Sequence, residues 1–225
     1  MKITWLGQAG LLFETGEMKI LVDPYLSDAV GEKDPAKHRK VPVDERFFGV
    51  EPDVIVLTHN HLDHTDPETL SHYLCGEKSV TVLASGLAWE AVRVFGGSHN
   101  YVLFNRHTEF TVGSVRFRAV KAEHSDLHAV GVLIEAEDKT YYLTGDTLYN
   151  TEIFPDLPEK IDVVFLPVNG AGNNMNMADA KRFCKKIRAK IAVPVHCGMF
   201  DDIDMTAFAC KNAVIPTVYE EIPLP

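Results

Sequence analysis

The sequence predicts an α/β fold in which two β-sheets pack face to face and helices cover their outer sides. Short apolar, β-branched or aromatic runs recur from KITWLG at residues 2–7 to IAVPV at 191–195, which is the signature of strands. Two of them, within VIVLT at 54–58 and DVVFLPV at 162–168, are almost continuously apolar, as expected of strands buried on both faces. Strands mixed with helical segments occur in both halves of the chain, a pattern that two packed sheets with outer helices satisfy.

The elements follow in order. KITWLG, LLFET and KILVDPY, punctuated by Gly7, Gly10 and Gly16, read as strands joined by tight turns. Residues 26–50 are charged, carry Pro35 and Pro42 and show no period; a loop of that length is functional or mobile. After VIVLT, Pro67 to Leu74 reads as a short helix with proline in its first turn. SVTVLAS reads as a strand and LAWEAVRVF as a helix. YVLF, EFTV, SVRFRAV, VGVLIEA and KTYYLTG are strands, with the clearest alternation in SVRFRAV. Then come the strand DVVFLPV, the amphipathic helix MADAKRFCKKIRAK and the strand IAVPVH. A helix around Asp204 to Asn212 and a strand near VIPTVYE close the chain. No repeat and no low-complexity linker interrupts it, so residues 1–225 form one domain.

A chain of 225 residues buries a large core without disulfides or structural metal, so any metal serves chemistry rather than folding. The net charge of −10 disfavours broad contact with nucleic acid, which relies on phosphate neutralisation. A local cation site still admits a small anionic substrate. Cys75, Cys184, Cys197 and Cys210 form no C-x-x-C pair and read as reduced, mostly buried thiols of a cytosolic protein. The opening MKITWLGQAGLLFE has too short an apolar run for a signal peptide. No stretch approaches the roughly 18 apolar residues of a membrane-spanning helix. The expected location is therefore cytoplasmic, with no membrane partner, and a homo-oligomer is compatible with the sequence.

The chemistry concentrates in Thr58-His59-Asn60-His61-Leu62-Asp63-His64-Thr65-Asp66. In extended backbone, His59 and His61 share one face, and Asp63 and His64 follow as the chain turns toward a helix. Imidazole and carboxylate suit zinc, manganese or iron. Uncompensated, four such groups directly after a buried strand carry a large desolvation cost. His124, Asp146 and His196 each terminate a later apolar strand and are further candidates. Asp23 in LVDP is a candidate hydrogen-bond partner for a ligand imidazole, as are Asp66 and Thr147. Backbone amides of the polar loop at Asn169, Gly170, Gly172, Asn173 and Asn174 are placed to meet an anion or sugar hydroxyls. Gln8 and His128 are candidate pocket residues. His38, His72, His99 and His107 read as ordinary surface histidines. Lys181, Arg182, Lys185, Lys186, Arg188 and Lys190, with Phe183, Cys184 and Ile187 as apolar stripe, read as the solvated face of a helix.

The order H-x-H-x-D-H, then His, then G-D-T, then P-x-H resembles the metallo-β-lactamase superfamily over most of the chain. The resemblance implies a four-layer αββα sandwich of the metallo-β-lactamase fold, with the site at one edge between the sheets. It implies that His59, His61 and His124 hold a first metal, that Asp63, His64 and His196 hold a second, and that Asp146 bridges both. LPVNGAGNNMNMADA, IAVPVHCGMF, WLGQAGLLFE and LVDP look like the L-ascorbate-6-phosphate lactonase-like branch. The implied cofactors are two divalent ions, zinc first, with manganese, iron and nickel as alternatives. Two such cations share a water and lower its pKa toward neutrality. The resulting hydroxide attacks a small ester, lactone or phosphoester, with Asp63 and Asp146 as catalytic residues. Two other readings are a phosphodiesterase or nuclease of the same fold, and a metal-binding protein without turnover. The first needs a nucleic-acid-gripping arm that is not visible, and the complete ligand set argues against the second.

Overall fold

The computed structural model describes residues 1–16 and 18–225. Its strands are β1 (Lys2–Gly7), β2 (Gly10–Thr15), β3 (Met18–Val22), β4 (Val54–Leu57), β5 (Thr81–Ala84), β6 (Asn100–Leu103), β7 (Glu109–Val112), β8 (Val115–Lys121), β9 (Val130–Ala136), β10 (Lys139–Leu143), β11 (Val163–Pro167) and β12 (Ile191–Val195). The α-helices are α1 (Ala29–Lys33), α2 (Pro67–Leu74), α3 (Gly86–Val92) and α4 (Met177–Ile187).

Two six-stranded sheets result, ordered β1-β2-β3-β4-β5-β6 and β12-β11-β10-β9-β8-β7. Both are mixed. In the first, β1–β3 pair antiparallel and β3–β6 parallel. In the second, β7–β10 pair antiparallel and β10–β12 parallel. Parallel neighbours need a crossover, and helices supply it: α2 and α3 follow β4 and β5, and α4 joins β11 to β12.

The continuous apolar runs are explained by burial on both faces. Val54 and Val56 of β4 enter the layer between the sheets, while Ile55 and Leu57 join Leu70, Leu74 and Ala88 of the outer helices. On the other sheet, Val163 and Phe165 of β11 face the central layer, and Val164 and Leu166 meet Phe183 and Ile187 of α4. Three apolar layers thus separate four layers of structure, the αββα arrangement that the sequence predicts. The cationic residues Lys181, Arg182, Lys185 and Lys186 of α4 are all exposed.

The structure corrects several expectations. Residues 26–50 are not featureless: they contain α1 and two 3₁₀ turns, Pro35–Lys37 and Glu45–Gly49. Arg39 ties the segment down by donating to the Tyr25 carbonyl at 2.8 Å and the Tyr219 hydroxyl at 2.7 Å. The helix expected at Asp204 to Asn212 is one 3₁₀ turn, Met205–Ala207. Beyond it the chain is captured by the edge of β12, where the Asn212 carbonyl accepts from Ala192 at 3.0 Å and its side chain donates to Ala189 at 2.7 Å. Such edge contacts override helix propensity. The closing strand at VIPTVYE is absent; isolated bridges join Ala213 to Ala192 and Glu221 to Thr4 instead, and Pro216 and Pro223 cannot donate to a ladder. Of the cysteines, Cys184 and Cys197 are buried, Cys210 is half-buried and Cys75 exposed. His99 is half-buried, donating to the Leu74 carbonyl at 2.9 Å and accepting from the Val80 amide at 3.2 Å. Among the described residues no helix is long and apolar enough to cross a membrane.

Phe165 sits at the centre of the middle layer, edge-on to Phe13 with ring centroids 5.8 Å apart. Phe165→Ala is expected to lower the free energy of unfolding by about 3–5 kcal/mol, while Lys185→Ala on the solvated face changes it by less than about 0.5 kcal/mol. Denaturant titration at unchanged m-value measures both. A cost below about 1 kcal/mol for Phe165→Ala would contradict the tight central layer.

Candidate metal centre

The candidate residues lie where apolar strands stop. The histidine cluster follows β4, His124 lies just past β8, Asp146 past β10 and His196 directly after β12. Two more strand ends contribute: Asp23 after β3 and Asn169 after β11. Gln8 occupies the turn between β1 and β2. Side chains from two sheets therefore meet at one edge of the sandwich, the place where α/β folds hold ligands.

Residues 58–66 differ from expectation in one respect. They form a bend and turn, not an extended strand, with the Thr65 amide bonded to the His61 carbonyl at 2.7 Å and the Thr65 hydroxyl to the His59 carbonyl at 2.8 Å. The imidazoles of His59 and His61 nevertheless approach with centroids 4.8 Å apart. Asp66 caps α2, accepting from the amides of Glu68 and Thr69 at 3.1 Å each and from the Thr69 hydroxyl. It is a helix cap rather than a partner of the cluster. Thr147 likewise serves the backbone, accepting from the Glu123 amide at 2.8 Å.

All seven predicted ligand side chains come together. Three groups, His59–His61–His124, His59–His64–Asp146 and Asp63–His64–His196, each hold candidate donor atoms within 4.8 Å of one another. His64 Nε2 and His196 Nε2 are 3.2 Å apart. Asp146 reaches both, with Oδ1 3.3 Å from His64 and Oδ2 3.1 Å from His196. Asp63 Oδ2 lies 3.2 Å from His196. His59 and His64 are fully buried, His124, Asp146 and His196 nearly so; Asp63 is partly open and His61 exposed.

The electrostatics divide the cluster. Burial holds His59 well below the usual imidazole range, and neighbouring His64 adds to the effect. His124 is lowered by burial too. These imidazoles stay neutral, as metal ligation requires. Burial also acts to lower His64 and His196, but the carboxylates override it. Asp146, Asp23 and Asp63 raise His64 well above its ordinary value, and Asp146 and Asp63 push His196 up to about 10. Loss of water around Asp63 and Asp146 would alone raise them, yet the imidazoles beside them hold both below the carboxylate range.

The donor set fits cations. Among the described residues, four buried side-chain polar atoms lack a hydrogen-bond partner, and two of them, His59 Nε2 and Asp146 Oδ1, face this cluster. An orphaned buried polar atom costs on the order of 1–3 kcal/mol, so two in one cluster point to a missing partner. Tetrahedral nitrogen and oxygen ligands about 2.0–2.1 Å from zinc lie about 3.3 Å from one another. The separations among His64, His196 and Asp146, 3.1–3.3 Å, match that edge.

A second ring of groups fixes the donors. Asp23 accepts from His64 Nδ1 at 2.8 Å. Gln8 donates to Asp63 Oδ2 at 2.9 Å and Asn174 to Asp146 Oδ2 at 2.9 Å, while the Asn169 amide lies 3.2 Å from His196 Nδ1. Gln8, Asp23 and His196 adopt positive φ of 45°, 42° and 60°; non-glycine residues in this region carry strain of about 1–3 kcal/mol and cluster at functional sites. Gly145, before Asp146, has φ +59°, and a Cβ there would meet the Val130 carbonyl at 2.8 Å. Only glycine permits that approach.

The donors open into a cleft of about 320 Å³. Gln8, Asn169, Asn173 and Asn174 line it as expected. Two expected pocket residues do not. Gly170 turns its amide to the Met175 carbonyl at 3.1 Å. His128 lies in a separate depression with Arg106 and Lys121, because the turn after His124 folds back through Asp126, which accepts from the His128 amide at 2.8 Å. Sequence reasoning missed Val30, Lys37, Phe200 and Asp201, which form the outer wall. The adjacency of Phe200 to HCGM was a usable signal; nothing in the aperiodic 26–50 segment singled out Val30 or Lys37.

Comparison with known proteins identifies the family and the fold. The family model described as "Beta-lactamase superfamily domain" matches residues 2–196. A UPF0173 protein of Pyrococcus furiosus is 31% identical over 214 residues, covering 92% of this chain and 89% of its own length. A UPF0173 metal-dependent hydrolase of Staphylococcus epidermidis is 30% identical over 234 residues, covering 95% and 93% respectively. Among solved structures, a metallo hydrolase from the archaeon Ignicoccus hospitalis superposes with TM-score 0.78 at 18% identity, covering 98% of this chain and 97% of that one; at that identity the likeness shows the fold alone.

Metal added to chelator-stripped protein is expected to raise its thermal midpoint. At a hundredfold excess over Kd the stabilisation is about 2.7 kcal/mol, read by calorimetry. No shift with zinc, manganese, iron(II) or nickel would contradict a metal centre.

Proposed function

Because the chain belongs to the beta-lactamase superfamily, we propose that it is a metal-dependent hydrolase that uses two divalent ions to cleave a small ester, lactone or phosphoester. The convergence of His59, His61, Asp63, His64, His124, Asp146 and His196, with His59 Nε2 and Asp146 Oδ1 left without a hydrogen bond, carries this reading. Cations bound there supply an activated water and a Lewis acid for the electrophile.

The chain's own groups supply the rest. His59, His61 and His124 would hold one ion and Asp63, His64 and His196 the other, with Asp146 within reach of both groups. Asp63 and Asp146 both line the cleft, and Asp63 is the more open of the two, with 18% of its side chain exposed against 7%, so it is the group placed to take or return a proton. Its Oδ2 is held by Gln8, which keeps the carboxylate aimed. Asn169 and Asn173 offer carboxamides along the cleft, and Lys37 offers an ammonium at the rim for an anionic substrate. The asparagine loop between β11 and α4 supports the lactonase-like reading, with zinc as first choice of metal. Four free thiols fit a reducing cytoplasm, and the acidic net charge fits a small molecule better than nucleic acid.

Metal-replete protein is expected to hydrolyse at least one member of a panel of lactones, esters and phosphodiesters. His59→Ala and Asp146→Ala are each expected to reduce that rate to the uncatalysed background while circular dichroism stays unchanged. Full turnover in either variant refutes the assignment.

A further inference from the structure

We infer that Thr58 is a positioning residue that passes the orienting pull of a buried carboxylate, Asp23, to His59, so that this one carboxylate orients a ligand in each half of the metal centre. The inference rests on the metal-centre reading above and adds to it a residue that the ligand set does not contain.

Asp23 and Thr58 are buried among the ends of β3 and β4. Asp23 Oδ1 accepts from the Thr58 amide at 2.8 Å. Its Oδ2 accepts twice, from the Thr58 hydroxyl at 2.6 Å and from His64 Nδ1 at 2.8 Å. The same hydroxyl lies 3.1 Å from His59 Nδ1. A hydroxyl has one hydrogen to donate, and the shorter contact to the carboxylate takes it. Toward His59 the oxygen can therefore only accept, which places the hydrogen of His59 on Nδ1.

The consequence falls on the far side of each ring. His59 carries its hydrogen on Nδ1 and presents a bare Nε2, while His64, whose Nδ1 hydrogen is taken by Asp23, turns its Nε2 toward the cluster. His59 Nε2 is one of the two unpartnered buried atoms, and His64 Nε2 is the atom set among Asp63, Asp146 and His196. His59 belongs to the group with His61 and His124, His64 to the group with Asp63 and His196. One carboxylate thus orients a ligand in each, directly for His64 and through a hydroxyl for His59. Asp23 holds this position at φ +42°, a strained backbone that its three accepted hydrogen bonds help maintain.

Thr58→Val keeps the shape and removes the hydroxyl; Thr58→Ser keeps the hydroxyl. In metal-free protein, ¹⁵N–¹H correlation of the imidazoles is expected to show His59 with hydrogen on Nδ1 in the wild type and in Thr58→Ser, and a shift toward the Nε2 tautomer in Thr58→Val. In zinc titrations against a chromophoric chelator, Thr58→Val is expected to weaken one of two metal equivalents by about 10–100-fold, the range for lost partners of metal ligands. The other equivalent should stay within about threefold, and Thr58→Ser should restore both. An unchanged His59 tautomer in Thr58→Val, or a Thr58→Ser variant as impaired as Thr58→Val, overturns the relay. Wild-type protein with the expected tautomer but no zinc uptake leaves the relay standing and overturns the metal-centre reading instead.

Discussion

At one edge of the sandwich, imidazoles and carboxylates, most of them held out of water, bring their donor atoms within 4.8 Å of one another in three overlapping groups, and the rest of the structure accommodates that demand. Isolated, each buried group would cost several kcal/mol. Together they offset the cost: Asp63 and Asp146 are stabilised as anions by His64 and His196, which are stabilised as cations in return. Buried ion pairs seldom repay their desolvation in full, and two donor atoms, His59 Nε2 and Asp146 Oδ1, are left without a hydrogen bond. A metal ion bound here would take the place of the protons on His64 and His196, since ligation requires neutral imidazole.

The fold supplies the rigidity that such a site needs. Strands β4, β10, β11 and β12 are buried on both faces and locked between apolar layers. Their ends therefore cannot drift, and donors separated by up to 137 positions in sequence, from His59 to His196, meet within a few ångströms. The strain at Gln8, Asp23 and His196 is affordable because this core over-determines their positions. Carboxamides of Gln8 and Asn174, bonded to the two carboxylates of the cluster, hold them in place at the mouth of the cleft.

Much of this was legible in the sequence, for identifiable reasons. Continuous apolar runs such as VIVL and VVFLPV carry a strong signal because both faces are buried, and the ligands sit where each run ends. Local spacing misled where tertiary contacts decide. His59 and His61 converge through a bend held by Thr65, not through extended backbone. The segment after Asp204 has helical composition but is held by the edge of β12. His128 lies four residues from His124, yet a turn closed by Asp126 sends it elsewhere. Val30 and Lys37 reach the cleft only because Arg39 fastens their segment to Tyr25 and Tyr219, and no local pattern encodes a contact across 180 residues.

Membership of the beta-lactamase superfamily and the donors without a hydrogen bond support the proposal that two cations belong between these side chains. Anomalous diffraction from crystals of protein purified without chelator tests it directly. The account predicts two peaks about 3.5–4 Å apart, one bounded by His59, His61 and His124 and the other by Asp63, His64 and His196, with Asp146 touching both. Crystals with no metal at this edge, or with metal bound only elsewhere on the chain, would contradict it.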